Sequence, residues 1–545
     1  MKITGKRLRP LFGAIAIVGA ASMVLAGCSS SGGDSATKSA AAGDATAIIS
    51  ANGTEPQKPL IPSDTTETGG GRIVTQLFDG LVSYDAKGAI VNEVAKSITS
   101  DDQQNWDIKL NDDWTFTDGT KVTAESFTKA WAWAADLKNA QTASSFFANF
   151  KGYDGAKSSQ LDLTVVSPTE FKVALLAPQA DFPLSLGYSA FYPLPSSFYK
   201  DTKAFGQDPI GNGPYKLKSA TAWKHNVGID LVTNKDYAGS RKPVNGGLNF
   251  SFYTGLDSAY ADAQAGNLDI DDTVPDANFA TYQSDFPDHF SNSPAAIFQS
   301  FTIPSNLAHF KEDKEGKLRR EAISLAIDRS QITKVIFQGT RTPAKDFTTP
   351  VIDGYSADVE GNDVLNYNKS KAVELWKEAD AISPFTGTFT IAYNADGGHK
   401  GWVDAVTNGI TNVLGIKAAG QSYPTFGGFR DDVAGGKTSG AFRSGWQADY
   451  PSLNDFLAPL YVTGASSNDG KYSSSEFDAL VKKGSSQATV ADANKIYQQA
   501  QTVLFQDLPA IPLWYSNEVG VWSTKVSNVK FGWDSTPLYY AVTKN

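Results

Sequence analysis

Histidine, cysteine and paired carboxylates carry most acid–base, nucleophilic and metal chemistry, and this chain of 545 residues is poor in the first two. Its histidines number four, His225, His289, His309 and His399, and Cys28 is its one cysteine. No two histidines stand at the i, i+4 spacing of a His-Glu-x-x-His zinc helix, and one cysteine builds no zinc cluster, so no metal is expected. No Gly-x-Ser-x-Gly elbow occurs. Gly211-Asn212-Gly213 lacks the third glycine and the following helix of a nucleotide-binding fingerprint. Pro214 would also interrupt such a turn, so a tight turn is expected and no cofactor. With 58 acidic residues, carboxylate pairs arise by chance, and spacing sets none of them apart. The inventory favours binding over catalysis.

Whatever residues do the binding must be held by elements outside the cytoplasm. Lys2, Lys6, Arg7 and Arg9 precede an apolar run over 11–25, and Leu25-Ala26-Gly27-Cys28 closes it. This reads as an export segment over 1–27. The tetrapeptide resembles the lipobox of bacterial lipoproteins, which implies a diacylglyceryl group on the Cys28 sulfur and a mature chain starting there. Loss of 1–27 leaves 44 basic against 58 acidic residues, a net charge of −14, so nucleic acid is not an expected partner. With one cysteine the exported chain has no internal disulfide and relies on its core. Its length exceeds what one hydrophobic core usually supports, so two or more lobes are expected. Residues 28–47 are Ser, Gly, Ala and Asp with little apolar bulk and read as a flexible tether, the folded part beginning near Ile48.

Within the folded part, apolar residues recur at helical spacing at Phe127, Ala130, Trp131 and Ala134 after a polar start at Thr123. The pattern repeats at Leu318, Ala322, Leu325 and Ala326, at Ala372, Leu375, Trp376 and Ala379, and at Ala493, Ile496, Tyr497, Ala500 and Leu504. Between these helices, 161–166, 171–175, 389–393 and 511–515 read as strands. Helices and strands interleave throughout, so the fold class is α/β.

Five stretches in order carry a resemblance. They are Leu77-Phe78-Asp79-Gly80-Leu81; Trp114-Thr115-Phe116-Thr117-Asp118-Gly119-Thr120 with Val122-Thr123-Ala124-Glu125; Gly211-Asn212-Gly213-Pro214-Tyr215; Arg320-Glu321-Ala322-Ile323 with Ala326-Ile327-Asp328-Arg329; and Gly445-Trp446-Gln447-Ala448-Asp449-Tyr450. Together they resemble the extracellular solute-binding protein family 5, which includes the oligopeptide- and dipeptide-binding proteins of ABC importers. The resemblance implies the type II periplasmic-binding-protein fold: two α/β lobes joined by a hinge of crossing strands, with an extra domain inserted in the first lobe. Carried over, lobe I is 48–77, 206–304 and 511–545, the inserted domain is 78–205, and lobe II is 305–510.

The same resemblance implies a short peptide as ligand, and burying a charged peptide terminus is costly unless an opposite charge meets it. Asp449 occupies the position that meets the peptide amine in the oligopeptide binders. Arg443, six residues earlier, matches an arginine that reaches a ligand carboxylate, and Tyr423 and Arg430 match an aromatic wall and a second arginine. His399, after Tyr393-Asn394, matches a histidine that contacts longer peptides. For Arg443, Arg430 and His399 a solvated surface position is the alternative, and for Trp446, which matches an aromatic beside the amine, the alternative is core packing. Thr68, in the loop 64–70, is a strand-like backbone donor by the same analogy.

The resemblance further implies a monomer delivering its ligand to permease subunits with a separate ATPase, outside the cytoplasm and lipid-anchored through Cys28. An oligosaccharide is the alternative ligand, since aromatics also stack on sugars. A secreted hydrolase and an adhesin are the readings from other classes.

Overall fold

A computed structural model describes residues 43–155, 160–465 and 467–545. The expected export segment, Cys28 and residues up to 42 lie outside the described residues. The end of the expected tether is held in place: the Asp44 N–H donates to the Lys544 carbonyl at 2.9 Å, and the Gly246 N–H to the Ala47 carbonyl at 2.8 Å. The residues just before Ile48 are therefore held by backbone partners on neighbouring segments, which composition does not reveal.

All four periodic segments are helices, each starting at a residue that suits an N-cap. Thr123 precedes Ala124–Ala135, its N–H donating to Ser126 Oγ at 3.1 Å. Asp313 caps Lys314–Leu325, Asn368 caps Lys369–Ile382 and Thr489 caps Val490–Asp507. In the first, Phe127, Ala130, Trp131 and Ala134 form the buried face, and Trp131 sits among the rings of Phe127, Phe147, Phe150, Phe171 and Phe191.

The expected strands appear as Leu163–Ser167, Glu170–Ala174, Thr388–Asn394 and Ala510–Trp522. The first two belong to a four-stranded antiparallel sheet with Ala95–Thr99 and Asn105–Leu110. The last is far longer than the apolar run 511–515 that marks it. Ser516-Asn517-Glu518 looks like a strand end, yet the strand continues because Phe290–Thr302 pairs with it along its whole length. Pairing here overrides local composition.

These two 13-residue strands are the centre of a 12-stranded sheet. On one side, Ala441–Gln447 pairs with Phe290–Thr302, followed by Thr388–Asn394 and Lys417–Tyr423 in parallel. On the other, Ile270–Asp271, Ile48–Gly53, Gly247–Phe252 and Gly228–Thr233 follow in turn. The crossing pair thus carries the chain between two lobes. Its register shifts between Pro294 and Ile297, where a bulge bends the strand. Beside the bulge, Glu518 is buried and accepts a hydrogen bond from Ser291 Oγ at 2.5 Å. Burial pushes its carboxyl up to about 8.

Several of the motif-like stretches are structural. Gly211 and Gly213 do not form a tight turn with positive φ; they let the chain lie against the end of the helix Thr68–Leu77. The Gly213 N–H donates to the Leu77 carbonyl at 2.9 Å, and a Cβ on Gly211 would stand 1.9 Å from that carbonyl oxygen. Asn212 exchanges hydrogen bonds with the Asp79 backbone. Buried Arg329 donates to the carbonyls of Pro512 and Leu365 at 2.8 Å each and of Ser324 at 3.0 Å. It ties a helix start to a crossing strand.

Candidate ligand-binding cleft

The strand Ala441–Gln447 alternates its side chains between two faces, which places Arg443 and Gln447 on one and Trp446 on the other. Immediately after it, Asp449 enters a cleft of about 250 Å³. The opposite walls are Thr68, Arg72 and Thr75 of the helix Thr68–Leu77, Tyr84 and Tyr188, and Trp533, Asp534 and Tyr539 near the C-terminus. Gln447 Nε2 donates to the Asp534 carbonyl at 2.9 Å and Ser452 Oγ to Asp181 at 2.6 Å, so the Asp449 segment is tied to two other parts of the chain.

Two cations in the cleft wall are already neutralised. Arg72 is paired with buried Asp272, and Arg241 lies 3.1 Å from buried Asp79. Asp79 also accepts a hydrogen bond from Tyr237 at 2.5 Å, and burial pushes its carboxyl up to about 6 despite Arg241. Asp449 has no such counter-ion among the described residues. Burial raises its carboxyl above the usual range, and a hydrogen bond from Tyr188 only partly offsets this. Asp534, raised by burial too, adds a second acid to the same cleft. An entering positive charge would relieve both.

Asp455 is the residue that sequence reasoning missed. It lies in the first turn of the helix Leu453–Tyr461, fully buried, and one of its oxygens accepts both the Trp446 indole N–H at 3.0 Å and the Asp449 backbone N–H at 2.9 Å. A lone acid among Leu453, Phe456 and Leu457 was the available signal. Trp446 is half-buried against the core, so its packing and its link to the acid site coexist.

Thr68 shares the cleft with Asp449, but not as a strand-like donor. It opens a helix capped by Glu67, whose carboxylate accepts the Gly70 N–H at 2.6 Å. A helix start leaves its first N–H groups without partners inside the helix, and here Glu67 takes that of Gly70.

The other candidates gather at the C-terminal ends of the parallel strands, the usual ligand side of an open α/β sheet. Arg443 Nε donates to Asn394 Oδ1 at 2.9 Å, and its guanidinium lies 5.1 and 5.3 Å from the ring centres of Phe426 and Phe429. Tyr423, paired with Asn394 across the strands, meets Phe429 edge-on at 5.7 Å. His399 precedes the helix Lys400–Leu414, and its Nδ1 accepts the Trp402 indole N–H at 3.1 Å. Arg430 turns to a protein partner, gripping Asp469 at 2.7 Å with a second contact at 3.4 Å. Arg443, Tyr423 and Asn394 therefore form one patch, while Asp449 and Thr68 belong to the cleft.

Two lobes joined by crossing strands around an acid-bearing cleft define a solute-binding protein of the type II architecture. The profile of the bacterial extracellular solute-binding proteins, family 5 (middle), matches residues 89–468, and the chain belongs to this family. It is 26% identical over 471 residues to the periplasmic murein peptide-binding protein MppA of Escherichia coli K12, covering 82% of this chain and 83% of that one. It is likewise 26% identical over 492 residues to the periplasmic oligopeptide-binding protein OppA of Salmonella typhimurium, covering 87% of each. Among solved structures, the murein tripeptide binding protein MppA of Escherichia coli superimposes with a TM-score of 0.77 at 22% identity, covering 91% of this chain and 98% of that one. The oligopeptide-binding protein AppA of Bacillus subtilis, in complex with a nonapeptide, gives 0.75 at 19% identity, covering 92% and 100%.

Proposed function

We propose that this chain captures short peptides between its lobes and delivers them to the permease of an ABC importer. The observation that carries the reading is Asp449, whose carboxyl lines the cleft with its charge disfavoured by burial and no cation paired with it among the described residues. A peptide ammonium supplies that charge and three donors. Arg443 is the corresponding anchor for the peptide carboxylate. It stands six residues from Asp449, so the two backbone positions are at most about 20 Å apart. Ligand touching both lobes stabilises the closed arrangement, which the permease then reads. No bond is made or broken, and the ATPase is a separate polypeptide.

The accompanying assignments are part of the same proposal. The lobes are 48–77, 206–304 and 511–545 for the first, with 78–205 inserted, and 305–510 for the second. The protein acts as a monomer outside the cytoplasm, held at the membrane by lipid on Cys28. The lipobox-like Leu25-Ala26-Gly27-Cys28 supports the anchor.

Thermal melting against tri-alanine, N-acetyl-tri-alanine and a maltotriose control tests the ligand class. Stabilisation by tri-alanine alone is expected. Stabilisation by maltotriose and not by di- to penta-alanine would replace the peptide reading with a sugar one.

A further inference from the structure

We infer that a second cavity, which shares its Trp533 wall with the cleft, is a binding site for a small zwitterion, a free α-amino acid with an apolar side chain held between Glu518 and Lys87.

The cavity measures about 370 Å³ and is assembled from parts distant in sequence. Ser291 and Ser293 come from one crossing strand and Glu518 from the other. Lys87 comes from the turn between the paired strands Val82–Tyr84 and Ile90–Asn92, and Phe531 and Trp533 from the C-terminal segment. Trp533 also lines the cleft, where the Tyr84 ring packs edge-on against it at 5.4 Å. Neither Asp449 nor Arg443 lines the second cavity, so a ligand there has other anchors than the peptide.

The anchors are of opposite sign. Ser291 Oγ donates to one Glu518 oxygen at 2.5 Å. The other oxygen is buried and accepts no complete hydrogen bond, only an approach from the Gly520 backbone. The charge acting on this carboxyl is that of Asp272, another acid, and no cation pairs with it among the described residues. A buried acid with an unfilled acceptor calls for a positively charged donor, and an ammonium also brings hydrogens for the serine hydroxyls. Such a charge would offset part of the burial that pushes the carboxyl up to about 8. Lys87, exposed on its turn, supplies the opposite charge without pairing with Glu518. An α-amino acid carries an ammonium and a carboxylate on one carbon and answers both at once. In a peptide each added residue moves the two termini about 3.3 Å further apart. Val351, Phe531 and Trp533 leave apolar wall for the side chain.

Calorimetric titration of the mature chain with L-leucine tests the site, run at about pH 7, where the amino acid carries both charges. The wild type is expected to bind with a Kd below about 1 mM. Isopentylamine, which lacks the carboxylate, and 4-methylpentanoate, which lacks the amine, should each bind at least about tenfold more weakly. Glu518→Gln and Lys87→Glu should each weaken L-leucine at least about tenfold, and Asp449→Asn less than about threefold. Absence of L-leucine binding by the wild type, either half-molecule binding as tightly as L-leucine, retention of affinity by Glu518→Gln, or loss of it in Asp449→Asn overturns the inference. Should Glu518→Gln fail to fold, Lys87→Glu at its exposed position and the two half-molecules decide. The test stands apart from the peptide reading, since none of its probes is a peptide.

Discussion

Replacing Asp449 by Asn removes a charge while keeping the shape, the acceptor oxygen and the backbone N–H that Asp455 holds. Breaking a fully buried ion pair costs about 3–5 kcal/mol. Asp449 is half-buried and its amide would still accept one hydrogen bond, so a loss of about 2–4 kcal/mol is the better figure. That corresponds to a roughly 30- to 700-fold weaker Kd for tri-alanine by calorimetry. N-acetylation of the peptide should cost the wild type a similar factor and cost Asp449→Asn almost nothing further, since the two changes remove one interaction from opposite sides. The unliganded variant should melt no lower than the wild type, because removing one of two adjacent acids relieves repulsion. A Kd within threefold of wild type, or full additivity of the two changes, would refute the reasoning.

Three further outcomes follow from the same geometry. Arg329→Lys loses the planar fork that serves three carbonyls and should lower the unfolding free energy by about 3 kcal/mol in a denaturant titration. Glu518 has its carboxyl raised by burial to about 8, so the folded state binds more protons than the unfolded one between the ordinary Glu value and that point. Its contribution to stability therefore declines as pH rises through this window, and Glu518→Gln should gain on the order of 3 kcal/mol relative to wild type above it and little at acid pH. Parallel pH dependences of the melting temperature would count against it. Arg443→Ala should weaken tri-alanine roughly tenfold, whereas Arg430→Ala, whose guanidinium is taken by Asp469, should change it less than about threefold.

How legible all this was in the sequence depended on whether the cause was local. Helix faces follow from spacing, as at Phe127, Ala130, Trp131 and Ala134, and caps such as Thr123 follow from side-chain chemistry. The length of Ala510–Trp522 did not, because its polar half is a strand only through pairing with Phe290–Thr302. Thr68 was placed near the cleft by analogy, yet Glu67 caps a helix there and changes what it presents. Asp449, Arg443 and Tyr423 are singled out in the sequence only through a motif, while the Arg430–Asp469 pair joins residues far apart in sequence. Asp455 escaped notice because its meaning lies in two hydrogen bonds that only the folded chain brings together.

The central claim is most directly tested by native mass spectrometry of the mature protein lacking Cys28, as purified and then denatured, to weigh and sequence what it carries. The account predicts masses that fragment as peptides over a narrow range of lengths and that disappear with Asp449→Ala. Hexose-spaced masses, or cargo retained without Asp449, would contradict it.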